Sequence, residues 1–150
     1  MFKMQTESLI ALLISLAAAA IDGKTKRIPC CFLAAAGLTG AVLWLRNGRD
    51  ILSVMTAMIP GAFLFGLSFL SRGAVGTGDA WFVLILALFF SAGGVCFILL
   101  LAFFQAALCS LVILAAGSCR RESVRNKTLP FLCFFPLGVL LWSVDICRLY

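Results

Sequence analysis

The chain has 150 residues, of which 63% are hydrophobic and 12% charged, whereas soluble domains run nearer to about half apolar and a quarter charged. This is the composition of an integral membrane protein, and with no polar stretch beyond about a dozen residues residues 1–150 are expected to form one membrane-embedded domain. The net charge of +6 is spread over short loops, a pattern that sets topology and meets anionic lipid and that speaks against nucleic-acid binding.

Apolar runs bounded by charge or by Gly and Pro predict six helices, giving an all-α polytopic fold with about six transmembrane segments. The first covers 7–22. Lys3, the apolar run and Ala17–Ala20 resemble a cleavable signal peptide, but Glu7 lies in the would-be basic region and Lys24, Lys26 and Arg27 follow the run. Those flanks favour a retained helix with the following loop inside. The next predicted helices cover 29–45, 51–70, 78–92, 95–117 and 129–146. Between Ala80 and Cys119 there is no charge. As one helix that stretch would be ~60 Å long, about twice the ~30 Å hydrocarbon core, so it must reverse. "SAGG" at Ser91–Gly94 is the expected place. The first and fourth helices are short, so tilt or local thinning of the bilayer is expected.

Basic residues divide unevenly between the two sides. Lys24, Lys26, Arg27, Arg72, Arg120, Arg121, Arg125 and Lys127 fall in loops after odd-numbered spans; Lys3, Arg46, Arg49 and Arg148 fall opposite. The positive-inside rule then puts both termini outside and the odd loops in the cytoplasm. Asp22 and Asp79 share that cytoplasmic face.

Of the six acidic residues, Glu7, Asp50, Glu122 and Asp145 lie at loops or span ends, where water or a nearby base can satisfy them. Asp22 closes the first span, and Asp79 opens the fourth behind Gly76 and Gly78. Either alone reads as a solvated helix-end residue; the two at matched depth suggest more. Carboxylates a few ångströms apart share one proton, so the ionised one can take a proton from water while the neutral one hydrogen-bonds a peptide carbonyl. That is aspartic proteolysis. Gly76 and Gly78, free of side chains and tolerant of unusual dihedrals, would let the backbone approach a substrate strand. Helix dipoles favour ionisation at the N-terminus and disfavour it at the C-terminus, which predicts Asp79 as base and Asp22 as protonated partner.

This chemistry needs no metal and no organic cofactor, and none is expected. The chain has no histidine, which excludes an H-E-x-x-H zinc protease, and its seven cysteines form no C-x-x-C pair. The cysteines are expected to be small buried hydrophobes.

Three stretches carry a resemblance. "DGKTKRIP" (Asp22–Pro29) resembles the D-x-[RK]-x-x-x-[IL]-P element of prepilin peptidases, and "GTGD" (Gly76–Asp79) resembles their G-x-G-D motif. "KTLPFLCFFPLG" (Lys127–Gly138) is similar to their later K-x-I-P-F-G-P-F-x-x-x-G stretch at Lys127, Pro130, Phe131, Phe134 and Gly138. The chain departs from the pattern at Trp81, where lysine is common, at Cys30, where Asn or Asp usually follows the proline, and at Leu132-Cys133 in place of Gly-Pro.

The resemblance implies removal of a basic leader peptide from a prepilin or pseudopilin precursor at the cytoplasmic face of the inner membrane. Asp22 and Asp79 would be the catalytic pair, with Gly76, Gly78, Lys24, Pro29 and Pro130 contacting substrate. Nothing in the chain matches the paired C-x-x-C segment of the longer, methylating members, so the resemblance is to the peptidase-only form that serves tight-adherence pili. Presenilin-type proteases also carry G-x-G-D, but their Tyr-Asp and Pro-Ala-Leu elements are not found. Two other readings fit the apolar spans. One is an inactive assembly factor for pili or secretion; the other is a small proton carrier, whose midplane acids and internal repeats are missing.

Overall fold

In the computed structural model, residues 2–25, 28–70, 76–120 and 131–149 are described, with side chains placed for 6–25, 28–70, 76–115 and 131–144. The described residues are helical: α1 (Phe2–Thr25), α2 (Cys30–Asn47), α3 (Ile51–Leu70), α4 (Thr77–Leu86), α5 (Ala92–Arg120), then a single 3-10 turn (Phe131–Phe134) leading into α6 (Phe135–Leu149). Stretches in α1, α2, α3 and α5 are long and apolar enough to cross a bilayer: Thr6–Thr25, Cys30–Asn47, Ile51–Leu70 and Ala92–Ala115. The predicted fourth and sixth spans are shorter apolar helices. At ~1.5 Å per residue, α4 covers about half of the hydrocarbon core.

The helix that is too short to cross is also the most enclosed. Ala80, Phe82, Val83, Ile85 and Leu86 of α4 are all buried. Glycines on the neighbouring helices let it in. A Cβ on Gly61 of α3 would stand 2.8 Å from Leu84, and one on Gly40 of α2 would stand 2.9 Å from Phe89. Without an apolar driving force between helices in lipid, such close backbone contact is what holds them together. Phe82 also meets Phe135 of α6 edge-on at 5.5 Å. The outer faces carry exposed Leu9, Leu13, Leu38, Met55, Phe63 and Leu111, a lipid-facing surface.

The reversal between α4 and α5 differs from expectation. It runs through residues 87–91, tightened by Leu88 N–H to Ile85 O and Phe89 N–H to Leu86 O, both 3.0 Å. Gly93 and Gly94 belong to α5. Gly94 serves packing rather than turning: a Cβ there would lie 2.8 Å from Nε1 of Trp142 on α6.

The cysteines also differ from expectation. Cys30, Cys31, Cys96 and Cys133 are exposed free thiols. Cys96 lies in a helix long enough to cross a bilayer, where a small apolar side chain needs no burial in protein, whereas Cys133 donates to the Ala19 carbonyl.

At the end of the bundle away from the aspartates, a polar clamp ties three elements together. Asn47 Nδ2 donates to Glu7 Oε1. Arg49 Nη1 donates to the Leu88 carbonyl at 3.0 Å, and Trp44 Nε1 donates to the Arg49 carbonyl at 2.9 Å. Glu7 is thereby satisfied by a partner, as its place at a span end suggested. The clamp fixes how deep α4 sits, and so the height of Asp79.

Candidate active site

Asp22 lies in the last turn of α1 and is 7% exposed. A buried carboxylate must find donors. One comes from far along the chain: the Leu132 N–H donates to Asp22 Oδ2 at 3.2 Å. The 3-10 turn that presents this N–H is pinned to α1 a second time, by Cys133 Sγ donating to the Ala19 carbonyl at 3.4 Å. A Cβ on Gly23 would lie 3.7 Å from the same sulfur.

Asp79 occupies the first turn of α4, behind Gly76 as N-cap. Its backbone N–H donates to the Gly76 carbonyl at 3.1 Å, and its carboxylate folds back over that glycine. A Cβ on Gly76 would stand 2.9 Å from Asp79 Oδ2. The same construction at Gly78 meets Ile28 Cδ1 at 3.3 Å, so the segment after Asp22 packs on the segment before Asp79. The two glycines therefore act through space, not through unusual dihedrals: Gly76 has φ −63° and Gly78 is helical.

Outside the four spanning helices and largely enclosed, the Asp79 carboxyl is pushed up to about 6, first by burial and then by the charge of Asp22. The two aspartates are thus close enough for their charges to interact. The raised carboxyl runs against the ionisation that a helix N-terminus would favour at Asp79. The dipole acts through an exposed terminus, whereas Asp79 is enclosed, and loss of solvation outweighs it. The Asp79 carboxyl is raised by its surroundings, and Asp22 accepts an N–H.

The remaining predicted site residues are dispersed. Lys24 is exposed in the last turn of α1, and Pro29 is exposed at the N-cap of α2, where its carbonyl accepts from Phe32 N–H at 3.0 Å. Pro130 and Lys127 lie outside the described residues. Trp81 is half exposed and meets Phe65 of α3 edge-on at 5.6 Å, consistent with an outward-facing aromatic anchor. Among the described residues, no group of three or more His, Cys, Asp and Glu is placed to hold a metal ion.

Leu132 is the contributor that sequence reasoning missed. It was visible only as a departure from Gly-Pro. Yet the donor is a main-chain N–H, which leucine supplies as well as glycine, so this departure leaves the contact with Asp22 intact.

The family described as type IV leader peptidases matches residues 9–115. That is more than half of the chain, and it includes both aspartates. The chain belongs to the type IV leader peptidase family. No curated protein and no solved structure matches it. The match ends before the 3-10 turn, so the Leu132 contact joins a stretch outside the matched residues of this leader peptidase family member to Asp22 inside them.

Proposed function

We propose that the protein is a membrane aspartic endopeptidase that removes the basic leader from a prepilin or pseudopilin precursor, with Asp22 and Asp79 as the catalytic pair. The observation that carries this reading is convergence. Ile28 on Gly78 and Leu132 on Asp22 bring three separated stretches to one end of the bundle, around two carboxyls whose charges interact.

The chemistry follows from the unequal surroundings of the pair. Asp22, as carboxylate, takes a proton from a water held between the two side chains. The hydroxide so formed bonds to the scissile carbonyl carbon, while the Asp79 proton passes to the carbonyl oxygen, giving a neutral gem-diol. On collapse, Asp22 delivers its proton to the departing amide nitrogen, the C–N bond breaks, and Asp79 recovers its proton from a diol hydroxyl. Protons balance without a metal, and the site returns to its starting state. The excess of Lys and Arg in the loops at this end supports a cytoplasmic orientation for it, and with it action at the inner membrane.

Co-expression with candidate precursors, scored by the gel shift from precursor to mature form, tests the reading. Asp22→Asn and Asp79→Asn are each expected to abolish cleavage while the protein stays inserted and abundant. Asparagine keeps size and hydrogen bonding but cannot carry the proton. Asp50→Asn, exposed at the other end of the bundle, is expected to cleave as wild type does. Continued processing by Asp79→Asn would sink the two-aspartate mechanism. A wild-type protein that cleaves no precursor would favour an inactive assembly factor. Reporter fusions in the loops at 24–27, 46–50 and 120–127 check the orientation; an outward signal at 120–127 would invert it.

A further inference from the structure

Gln105 is the only amide side chain between Ala80 and Cys119. It sits inside α5, where helix spacing puts it two turns beyond Ile98 and one beyond Ala102. Both of those residues are fully buried, and a Cβ on Gly138 of α6 would stand 3.2 Å from the Ile98 backbone. Gln105 therefore belongs to the inward stripe of α5. Its Nε2 is buried and has no hydrogen-bond partner among the described residues.

Its depth follows from the neighbouring rings. Phe103 of α5 meets Phe131 at 5.1 Å, and Phe131 adjoins Leu132, whose N–H binds Asp22. Gln105 is two residues further along α5, a rise of ~3 Å, and so near the height of the turn whose Leu132 N–H binds Asp22. An amide donor left unpaired in an apolar interior is costly. Its ordinary explanation would be a structural partner, and none is present among the described residues.

We propose that Gln105 is a substrate-positioning residue whose Nε2 donates to a main-chain carbonyl of the precursor strand lying across Asp22 and Asp79. This rests on the peptidase reading above. An extended strand entering an apolar site brings carbonyls that have lost water and have no partner of their own. A single fixed donor on the inward face of α5 meets that need without reading side chains. It would also help to hold the scissile bond in register with the aspartates.

The test uses the full-length protein in lipid nanodiscs with a leader-bearing precursor. Gln105→Met keeps length and volume but removes the donor. The expected result is a KM raised ~3- to 10-fold, as for loss of one neutral hydrogen bond, with kcat within about two-fold of wild type. Placed on the Asp79→Asn background, the same change is expected to weaken precursor binding by a similar factor. Thermal stability of the free Gln105→Met protein is expected to hold or rise, because a buried unpaired donor has been removed. If wild type cleaves and Gln105→Met matches it in KM and affinity, the positioning role is wrong and the peptidase reading stands. A Gln105→Met protein that loses thermal stability and kcat together marks a structural role and also overturns the proposal. If wild type neither binds nor cleaves any precursor, both readings fall.

Discussion

The main-chain N–H of Leu132 reaches Oδ2 of Asp22 at 3.2 Å across 110 positions of sequence. With the Cys133–Ala19 contact, this bond ties the 3-10 turn ahead of α6 to the end of α1, and it gives a buried carboxylate a fixed donor. A proline at this position would remove the donor and leave the backbone carbonyl in place. Leu132→Pro is therefore expected to cut turnover by roughly 10- to 100-fold, the range for a hydrogen bond to a charged group. Leu132→Met keeps both the N–H and most of the buried volume and is expected to process precursor within a few-fold of wild type. Equal activity in the two variants would show that the bond has no part in the reaction.

Gly76 offers a separation of catalysis from stability. Its φ of −63° suits any residue, and the position is exposed, so Gly76→Ala should leave the thermal midpoint close to wild type. The added methyl would stand 2.9 Å from Asp79 Oδ2 and force the carboxylate off its place. An ångström of misplacement costs on the order of 10²-fold in rate. Processing assays and a thermal melt on the same preparation check both halves.

The legible part of the sequence was the part written in charge and apolarity. Ile51–Leu70 was bounded correctly because Asp50 and the Ser71-Arg72 pair flank a mostly apolar run without charge. The depth match of Asp22 and Asp79 was legible for the same reason. What was hidden depended on contacts between segments far apart. Nothing in "SAGG" says that Gly94 is needed under Trp142 rather than at a turn. Nothing at Leu132 announces a main-chain donor, because every non-proline residue has one. The helix ends are visible in sequence, whereas the enclosure that raises the Asp79 carboxyl is not.

The pH profile follows from Asp79. Burial and the charge of Asp22 raise its carboxyl from 3.8 to about 6. Below that value the pair retains its proton; as pH rises through it, both carboxylates ionise and no acid is left for the scissile carbonyl. The kcat/KM profile reports the free enzyme, so its alkaline limb should fall with an apparent pKa near 6. The kcat limb should lie higher, because a bound precursor excludes water and further disfavours the charged form. Stability has the same sign. A raised folded-state pKa contributes stability that is present below the unfolded value and is lost as pH rises through about 6. Activity that instead climbs between pH 6 and 8 in kcat/KM would assign the proton to the wrong aspartate.

Two glycines of α3 separate the packing of α4 from the intrinsic behaviour of α3. A Cβ on Gly61 would lie 2.8 Å from Leu84 Cδ2 and 3.0 Å from the Leu84 backbone nitrogen, whereas nothing lies within 4 Å of one on Gly66. The Leu84 side chain could rotate away, but its backbone can yield only if α4 moves. Gly61→Ala is thus expected to destabilise the protein by about 1–3 kcal/mol, the usual cost of overpacking. It should also lower processing, because Asp79 travels with α4. Gly66→Ala puts the same methyl on the same helix in open space. It is expected to be neutral or to stabilise by up to about 1 kcal/mol through reduced freedom of the unfolded chain. Thermal unfolding in detergent, paired with the precursor gel shift, compares the two directly. If both variants lose stability equally, the loss comes from α3 itself, and the close approach of α4 through Gly61 is not what holds Asp79 at the height of Asp22.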